Sequence, residues 1–184
     1  VLFRSDFTKN RFGYLHSLVN VAGVSLPPST EDQEYRRFVE TIHLDLMLPY
    51  KVISKFVPLI AQDGSGSIIN FSSINSRLGF PGNPGYVAAK SGLSGLTRAL
   101  SVDLAQKGIR VNSISPGYFP TNMTSVSFND QNMHAERARR TILKRWGNPE
   151  ELVGPVAFLC SKASSYITGH DLPVDGGWLV QGLK

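Results

Sequence analysis

Short apolar runs alternate with longer amphipathic stretches along this chain. Ser17-Leu18-Val19-Asn20-Val21-Ala22-Gly23 is apolar on both faces and reads as a buried strand that ends in Gly. Pro27 and Pro28 break the chain, and Ser29-Thr30-Glu31-Asp32 then offers N-cap chemistry with acids in the first turn. A long helical pattern follows to about Ile60, interrupted at Pro49. Asp63-Gly64-Ser65-Gly66 is a turn into a second strand, Ser67 to Ser72. Gly79 to Gly85 is loop. Tyr86 to Gln106 is helical, with Leu93, Leu96, Leu100 and Leu104 along one face and Lys107-Gly108 as the stop.

Ile109 to Ser115 predicts a third strand, closed by Pro116-Gly117. Thr121 to about Gln131 reads as an irregular loop, and His134 to Arg145 as a basic helix. Asn148 caps a further helix with Pro149 at its first position, running to about Ser161. Leu172-Pro173-Val174 is a last short strand. Both-face apolar strands separated by helices predict an α/β fold, a doubly wound parallel sheet with helices on both sides. In such sheets ligands bind at the carboxyl ends of the strands, here Ala22-Gly23, Ser72-Ser73 and Pro116-Gly117.

The 184 residues suit a single domain, read here as spanning 1–184. The hydrophobic class is 41% and charged residues are 18%, which excludes general disorder. The lone Cys160 excludes an intrachain disulfide and a cysteine-based metal cluster, and no metal site is expected. Lys51 and Lys55 break the longest apolar stretch, so no membrane span is expected. The net charge of +5 is modest. Its one cluster is Arg137, Arg139, Arg140, Lys144 and Arg145. That cluster reads either as a solvated helix face or as a site for an anionic substrate. Only Trp146 adds an aromatic to it, which argues against nucleic acid as a partner.

Val1 to Ser5 fits no element that follows. The string Val-Leu-Phe-Arg-Ser matches the translation of a common sequencing adaptor, so these residues are read either as non-native, on a truncated reading frame, or as an ordinary strand or helix fragment.

Tyr86 and Lys90 are four apart in a helix, so they share a face. An ammonium beside a phenol favours the phenolate, which fits Tyr86 for general acid/base work. Ser73 lies thirteen residues earlier at a strand's carboxyl end, placed to face the tyrosine across a cleft.

With Leu18 to Gly23, Ile68 to Ser73, Tyr86-Val-Ala-Ala-Lys90, Ile109 to Gly117, Arg145 to Glu151 and Val174 to Gly177, the chain resembles the short-chain dehydrogenase/reductase family from about Phe12 onward. The resemblance implies a Rossmann-like fold and an NAD- or NADP-dependent oxidoreductase that interconverts a secondary alcohol and a ketone. It implies that Tyr86 exchanges the proton, that Lys90 holds the nicotinamide ribose and depresses the tyrosine pKa, and that Ser73 binds the substrate oxygen. Asn20, Ala22 and Gly23 would line the adenosine-ribose side of the cofactor cleft, and Pro116, Gly117, Phe119 and Thr121 would meet the nicotinamide end with Tyr86 and Lys90.

Two departures stand out. Where the family places an Asn for its proton relay, this chain aligns His43, which either continues the relay or is a satisfied buried polar group. The Gly-rich turn that seats a pyrophosphate is not found, so the fold is expected to be incomplete, lacking the first Gly-rich βαβ portion, and this chain by itself inactive. The Arg145-to-Glu151 stretch and the ending Val-Asp-Gly-Gly-Trp look similar to members acting on sugar acids and polyols. A 3-oxoacyl-thioester reductase and a non-catalytic subunit on the same scaffold are the alternatives. A cytoplasmic homo-oligomer, dimer or tetramer, is expected, without membrane or nucleic-acid partners.

Overall fold

The computed structural model describes residues 2–27 and 30–182. Four parallel strands form one sheet in sequence order: β1 (Ser17–Asn20), β2 (Gly66–Phe71), β3 (Ile109–Pro116) and β4 (Asp171–Val174). The register pairs Ser17 with Ser67, Gly66 with Ile109 and Ser113 with Asp171. The α-helices are α1 (Leu2–Phe12), α2 (Glu34–Ile42), α3 (Leu48–Phe56), α4 (Pro84–Asp103), α5 (Ser125–Asn129), α6 (Gln131–Arg140) and α7 (Val153–Cys160).

The period-two alternation of β2 divides the core. Ile68 points to one face, into a cluster with Ile53 and Val57 around α3, Leu100 and Leu104 around α4, and Val111. Ile69 points to the other, against Ile114 and Leu159 of α7. Each such fully buried Ile or Leu contributes about 1.5–3 kcal/mol, so neither face is free to be stripped of its helix. This is the doubly wound, Rossmann-like arrangement.

Several boundaries differ from those read in the sequence. The segment over 2–12 is helical, although its first residues had matched no element. The first strand ends at Asn20, and the Pro28-Ser29 part of the expected cap lies outside the described residues. The long helix is interrupted before Pro49 rather than at it. The Leu48 N–H reaches back five residues to the carbonyl of His43, which makes a π-turn over His43–Met47. Pro49 has no N–H to offer the carbonyl of Asp45, so the ladder widens just ahead of it.

The expected loop over 121–131 is largely helical, as α5 and the start of α6. The basic helix stops at Arg140, not Arg145. Thr141 turns extended there, and the N–H groups of Ile142 and Leu143 go to the carbonyl of Gly176 instead of continuing the helix. Lys144 takes a φ of 57°, so it does not continue the face of Arg137 and Arg140. Gly108 ends the segment after α4 at a φ of 67°, the left-handed stop that its sequence position implied.

Candidate active site

Three consecutive local decisions bring Ser73, Tyr86 and Lys90 together. Asn83 caps α4, and its Oδ1 accepts the N–H of Tyr86 at 3.3 Å. Its Nδ2 donates to Ser25 Oγ at 2.9 Å, which ties the cap to the segment after β1. Ser72, at the end of β2, donates through Oγ to the carbonyl of Lys90 at 3.1 Å and meets Ser94 Oγ at 2.9 Å. That clamp fixes the turn of α4 that carries Lys90 against the strand. Ser73 then leaves the sheet in extended conformation, with its Oγ accepting the Asn75 N–H at 3.1 Å.

A cleft of about 290 Å³ opens at the carboxyl ends of the strands. Ser73, Tyr86 and Lys90 line it, with Gly23, Pro116, Gly117, Phe119 and Thr121. Ser73 and Tyr86 line this cleft together, and Lys90 Nζ lies 5.5 Å from the Tyr86 ring centroid. Asn20 and Ala22 are not part of this cleft. The Asn20 Nδ2 is spent on Asn70 Oδ1 at 2.9 Å within the sheet, and Ala22 is exposed.

His43 is also elsewhere. It is exposed on the outer face of the α2–α3 segment, beside Tyr35, Phe38 and Met47. The side chain that reaches Lys90 from this segment is Asp45, fully buried, with Oδ2 3.1 Å from Lys90 Nζ. The π-turn explains the exchange. Thr41, Asp45, Pro49 and Ile53 are all buried, at a uniform spacing of four. In an unbroken α-helix such a stripe drifts by about 40° per step. The wider turn slows that drift and keeps Asp45 facing α4. No apolar pattern in the sequence marks Asp45 as inward-facing; its place is set by the π-turn and by Lys90 in the folded chain.

Burial dominates the proton chemistry of the pair. The Tyr86 phenol is pushed up to about 12, first by desolvation and then by the nearby Asp45 carboxylate and Tyr118, against the Ser73 hydrogen bond that lowers it. This reverses the depression that the Tyr-x-x-x-Lys spacing implied, because desolvation of the buried phenol outweighs what lowers it. Desolvation lowers the Lys90 pKa, while Asp45 acts to raise it.

Of the five basic residues in the 137–145 segment, one lines the cleft. Arg137 lies over the Tyr118 ring at 4.9 Å, and its Nε is buried without a hydrogen-bond partner. Arg140 is paired with Glu136 at 3.1 Å, Arg145 makes a two-pronged contact with Glu151 at 2.7 Å, and Lys144 Nζ donates to the Arg139 carbonyl at 2.8 Å.

The family model described as enoyl-(acyl carrier protein) reductase matches residues 5–179. That match spans both faces of the sheet and the whole Ser73–Tyr86–Lys90 constellation. The chain belongs to the short-chain dehydrogenase/reductase family. Family members similar to it include the 2-dehydro-3-deoxy-D-gluconate 5-dehydrogenase of Escherichia coli, 36% identical over 171 residues, covering 92% of this chain and 68% of the relative. The 3-oxoacyl-[acyl-carrier-protein] reductase of Chlamydia trachomatis is 41% identical over 160 residues, covering 87% and 64%. A gluconate 5-dehydrogenase from Burkholderia cenocepacia, solved in complex with NADP and tartrate, superposes with a TM-score of 0.92 at 30% identity, covering 98% of this chain and 71% of that one. The chain thus spans about two thirds of the length of its curated relatives.

The residues present suit the nicotinamide end of a dinucleotide. Hydroxyls of Ser73 and Thr121, the Lys90 ammonium and the flat wall of Phe119 supply donors for a ribose and a face for an aromatic ring. Among the described residues no cluster of His, Cys, Asp or Glu could hold a metal ion, and no helix is long and apolar enough to cross a membrane.

Proposed function

We propose that this family member is an NAD- or NADP-dependent oxidoreductase that interconverts a secondary alcohol and a ketone on a polyhydroxylated carboxylic acid. One observation carries the reading. Tyr86, Ser73 and Lys90 share the cleft with Arg137, an arginine whose Nε is buried and has no hydrogen-bond partner. When bound, the nicotinamide supplies or takes the hydride. The chain's residues manage the oxygen. Ser73 holds it and stabilises negative charge developing there. Tyr86, protonated at neutral pH, gives its proton to that oxygen in the reductive direction. Arg137 offers a planar pair of donors to a carboxylate. The names of the gluconate-type relatives agree with such a substrate.

A second reading, reduction of a 3-oxoacyl thioester, is favoured by the apolar part of the cleft wall, with Ile74, Phe80, Met123 and Leu152, and by the Chlamydia relative. A cytoplasmic homo-oligomer completes the proposal, supported by the lone cysteine and by the exposed Tyr35, Phe38, Val39 and Met47 on α2 and the π-turn.

A cofactor-coupled assay on the protein extended to the length of its relatives tests the reading. Consumption of NADH or NADPH with a 5-keto sugar acid supports it. Consumption only with a 3-oxoacyl thioester replaces it by the second reading. No turnover with either class, in a folded protein, leaves a non-catalytic scaffold and overturns both.

A further inference from the structure

Lys90 and Asp45 form an ion pair at 3.1 Å with almost no contact with solvent, Lys90 being 4% exposed and Asp45 0%. A buried pair of this kind costs desolvation on both partners, so its retention needs a reason beyond stability. The geometry supplies one. An ammonium has three N–H donors. Lys90 directs one to the carbonyl of Phe71 at 3.1 Å and holds Asp45 Oδ2 at 3.1 Å as an ion pair, which leaves donor capacity for the cleft that Lys90 lines.

Asp45 is braced in turn. Its Oδ1 accepts the N–H of Val24 at 2.8 Å, so the carboxylate is pinned to the chain just after β1. Among the described residues Oδ2 accepts no aligned hydrogen bond, and the ammonium is what answers its charge. Gly23 makes the approach possible. A Cβ there would stand 3.0 Å from Lys90 Nζ and 3.2 Å from Asp45 Oδ2, in the space where the two groups meet.

We propose that Asp45 is the positioning residue of this active site, a buried carboxylate that keeps Lys90 charged and turns its remaining donor capacity to the cleft. The inference rests on the proposed oxidoreductase reading for its catalytic consequence, though not for the pair itself. The charged and titratable groups around the pair are Tyr86 on α4, Tyr118 after β3 and Arg137 on α6, with Ser72 and Ser73 from the end of β2 as neutral neighbours.

The sign of the effect follows from removing one negative charge. Without it the cationic form of Lys90 is less favoured, because burial still lowers its pKa and the opposing contributions of Asp45 are gone. The phenolate of Tyr86 is more favoured, because a neighbouring anion has been lost. Both pKa values therefore move down, and the whole pH–rate profile slides toward acid.

The test uses the protein extended to the length of its relatives, with Asp45→Asn and Asp45→Glu. NMR titration of the Lys90 ε-ammonium is read beside the pH profile of kcat. In the parent protein Lys90 stays charged through the neutral range. Asp45→Asn lowers its titration midpoint by about one pH unit or more and moves both limbs of the kcat profile the same way. Asp45→Glu returns the midpoint even if it lowers kcat. A merely structural aspartate would reduce stability or kcat and leave the midpoints in place, and that result overturns the inference. So does a parent Lys90 that is neutral near pH 7, a measurement that holds even if Asp45→Asn does not fold. Failure of the oxidoreductase reading shows separately, as absent turnover with a normal Lys90 titration.

Discussion

The Lys90 ammonium donates to the carbonyl of Phe71 at 3.1 Å. This bond runs from the middle of the helix that carries Tyr86 to the last residue of β2, one position before the Ser72 clamp. Helix and strand are therefore locked at the level of Lys90, and changes there are expected to alter geometry as well as charge.

Tyr86→Phe removes the phenol proposed to exchange a proton with substrate. The hydroxyl acts in the transition state, so the loss belongs in kcat, expected to fall about 10²- to 10⁴-fold with cofactor affinity within a few-fold. Steady-state kinetics and calorimetric titration of NAD(H) and NADP(H) check it. Retention of a tenth or more of the parent kcat would remove Tyr86 from the mechanism.

The phenol's elevated pKa sets a direction for pH dependence. With Tyr86 near 12 the group is protonated throughout the neutral range, as reduction of a ketone requires. Alcohol oxidation needs the phenolate, so its rate is expected to climb with pH without reaching a plateau below about pH 10. Lys90→Met takes away a cation 5.5 Å from the ring and strands the Asp45 carboxylate. Both changes disfavour the phenolate, so the oxidation limb moves further up, by about one pH unit, and cofactor binding weakens. An unchanged profile with unchanged affinity would show that the lysine is a packing element only.

The chemistry-bearing residues lay on features the sequence displays directly. Both-face apolar runs announced β2 and β3, and the helical spacing from Tyr86 to Leu104 announced α4. What escaped reading were local ladders set by tertiary partners. The π-turn depends on Pro49 and on packing against α4, and it leaves His43 exposed while setting Asp45 against Lys90. The end of α6 at Arg140 depends on Gly176, which is thirty-six residues away in sequence and takes the next two N–H groups. The Asn20–Asn70 bond depends on strand pairing, which turns the Asn20 side chain toward its neighbour in the sheet. None of these is visible in a window of ten residues.

Arg110 shows how much of the fold hangs on one buried cation. Its guanidinium donates to the carbonyls of Leu159, Ser161 and Ile167 and to Ser164 Oγ, at 3.0, 3.3, 3.4 and 2.9 Å. It thereby closes the end of α7 over β3. Arg110→Met removes these four bonds, while Leu159, Ser161 and Ile167 keep other donors in Ser67, Ser164 and Asn112, so the expected cost is about 1.5–3 kcal/mol. Arg110→Lys recovers only part of that, because a point charge cannot span the fork. Urea unfolding at constant m-value measures it, and a loss below about 1 kcal/mol would mean that water replaces the guanidinium.

Arg137 and Arg140 sit three apart on α6, yet the structure separates their roles. Arg140 is exposed, paired with Glu136 and set over Trp178 at 5.8 Å, an arrangement that a solvated helix face needs no substrate to explain. Arg137 faces the cleft, rests on Tyr118 and keeps its Nε buried and unpartnered. One arm of its guanidinium donates to the Met133 carbonyl at 3.3 Å, so the buried Nε is the donor left unmade, and a substrate carboxylate that accepts from it offsets that cost. Arg137→Met is therefore expected to raise KM for a keto sugar acid by about 10- to 100-fold, the range that a charge-assisted hydrogen bond of about 1.5–3 kcal/mol supplies, with kcat within a few-fold. A neutral polyol of the same length should lose less than about two-fold, and Arg140→Met should leave both substrates nearly unchanged. Parallel steady-state kinetics on the two substrates decide the matter. Equal losses for the acid and the polyol in Arg137→Met would mean that the guanidinium supports the cleft wall through Tyr118 and does not read the charge of the substrate.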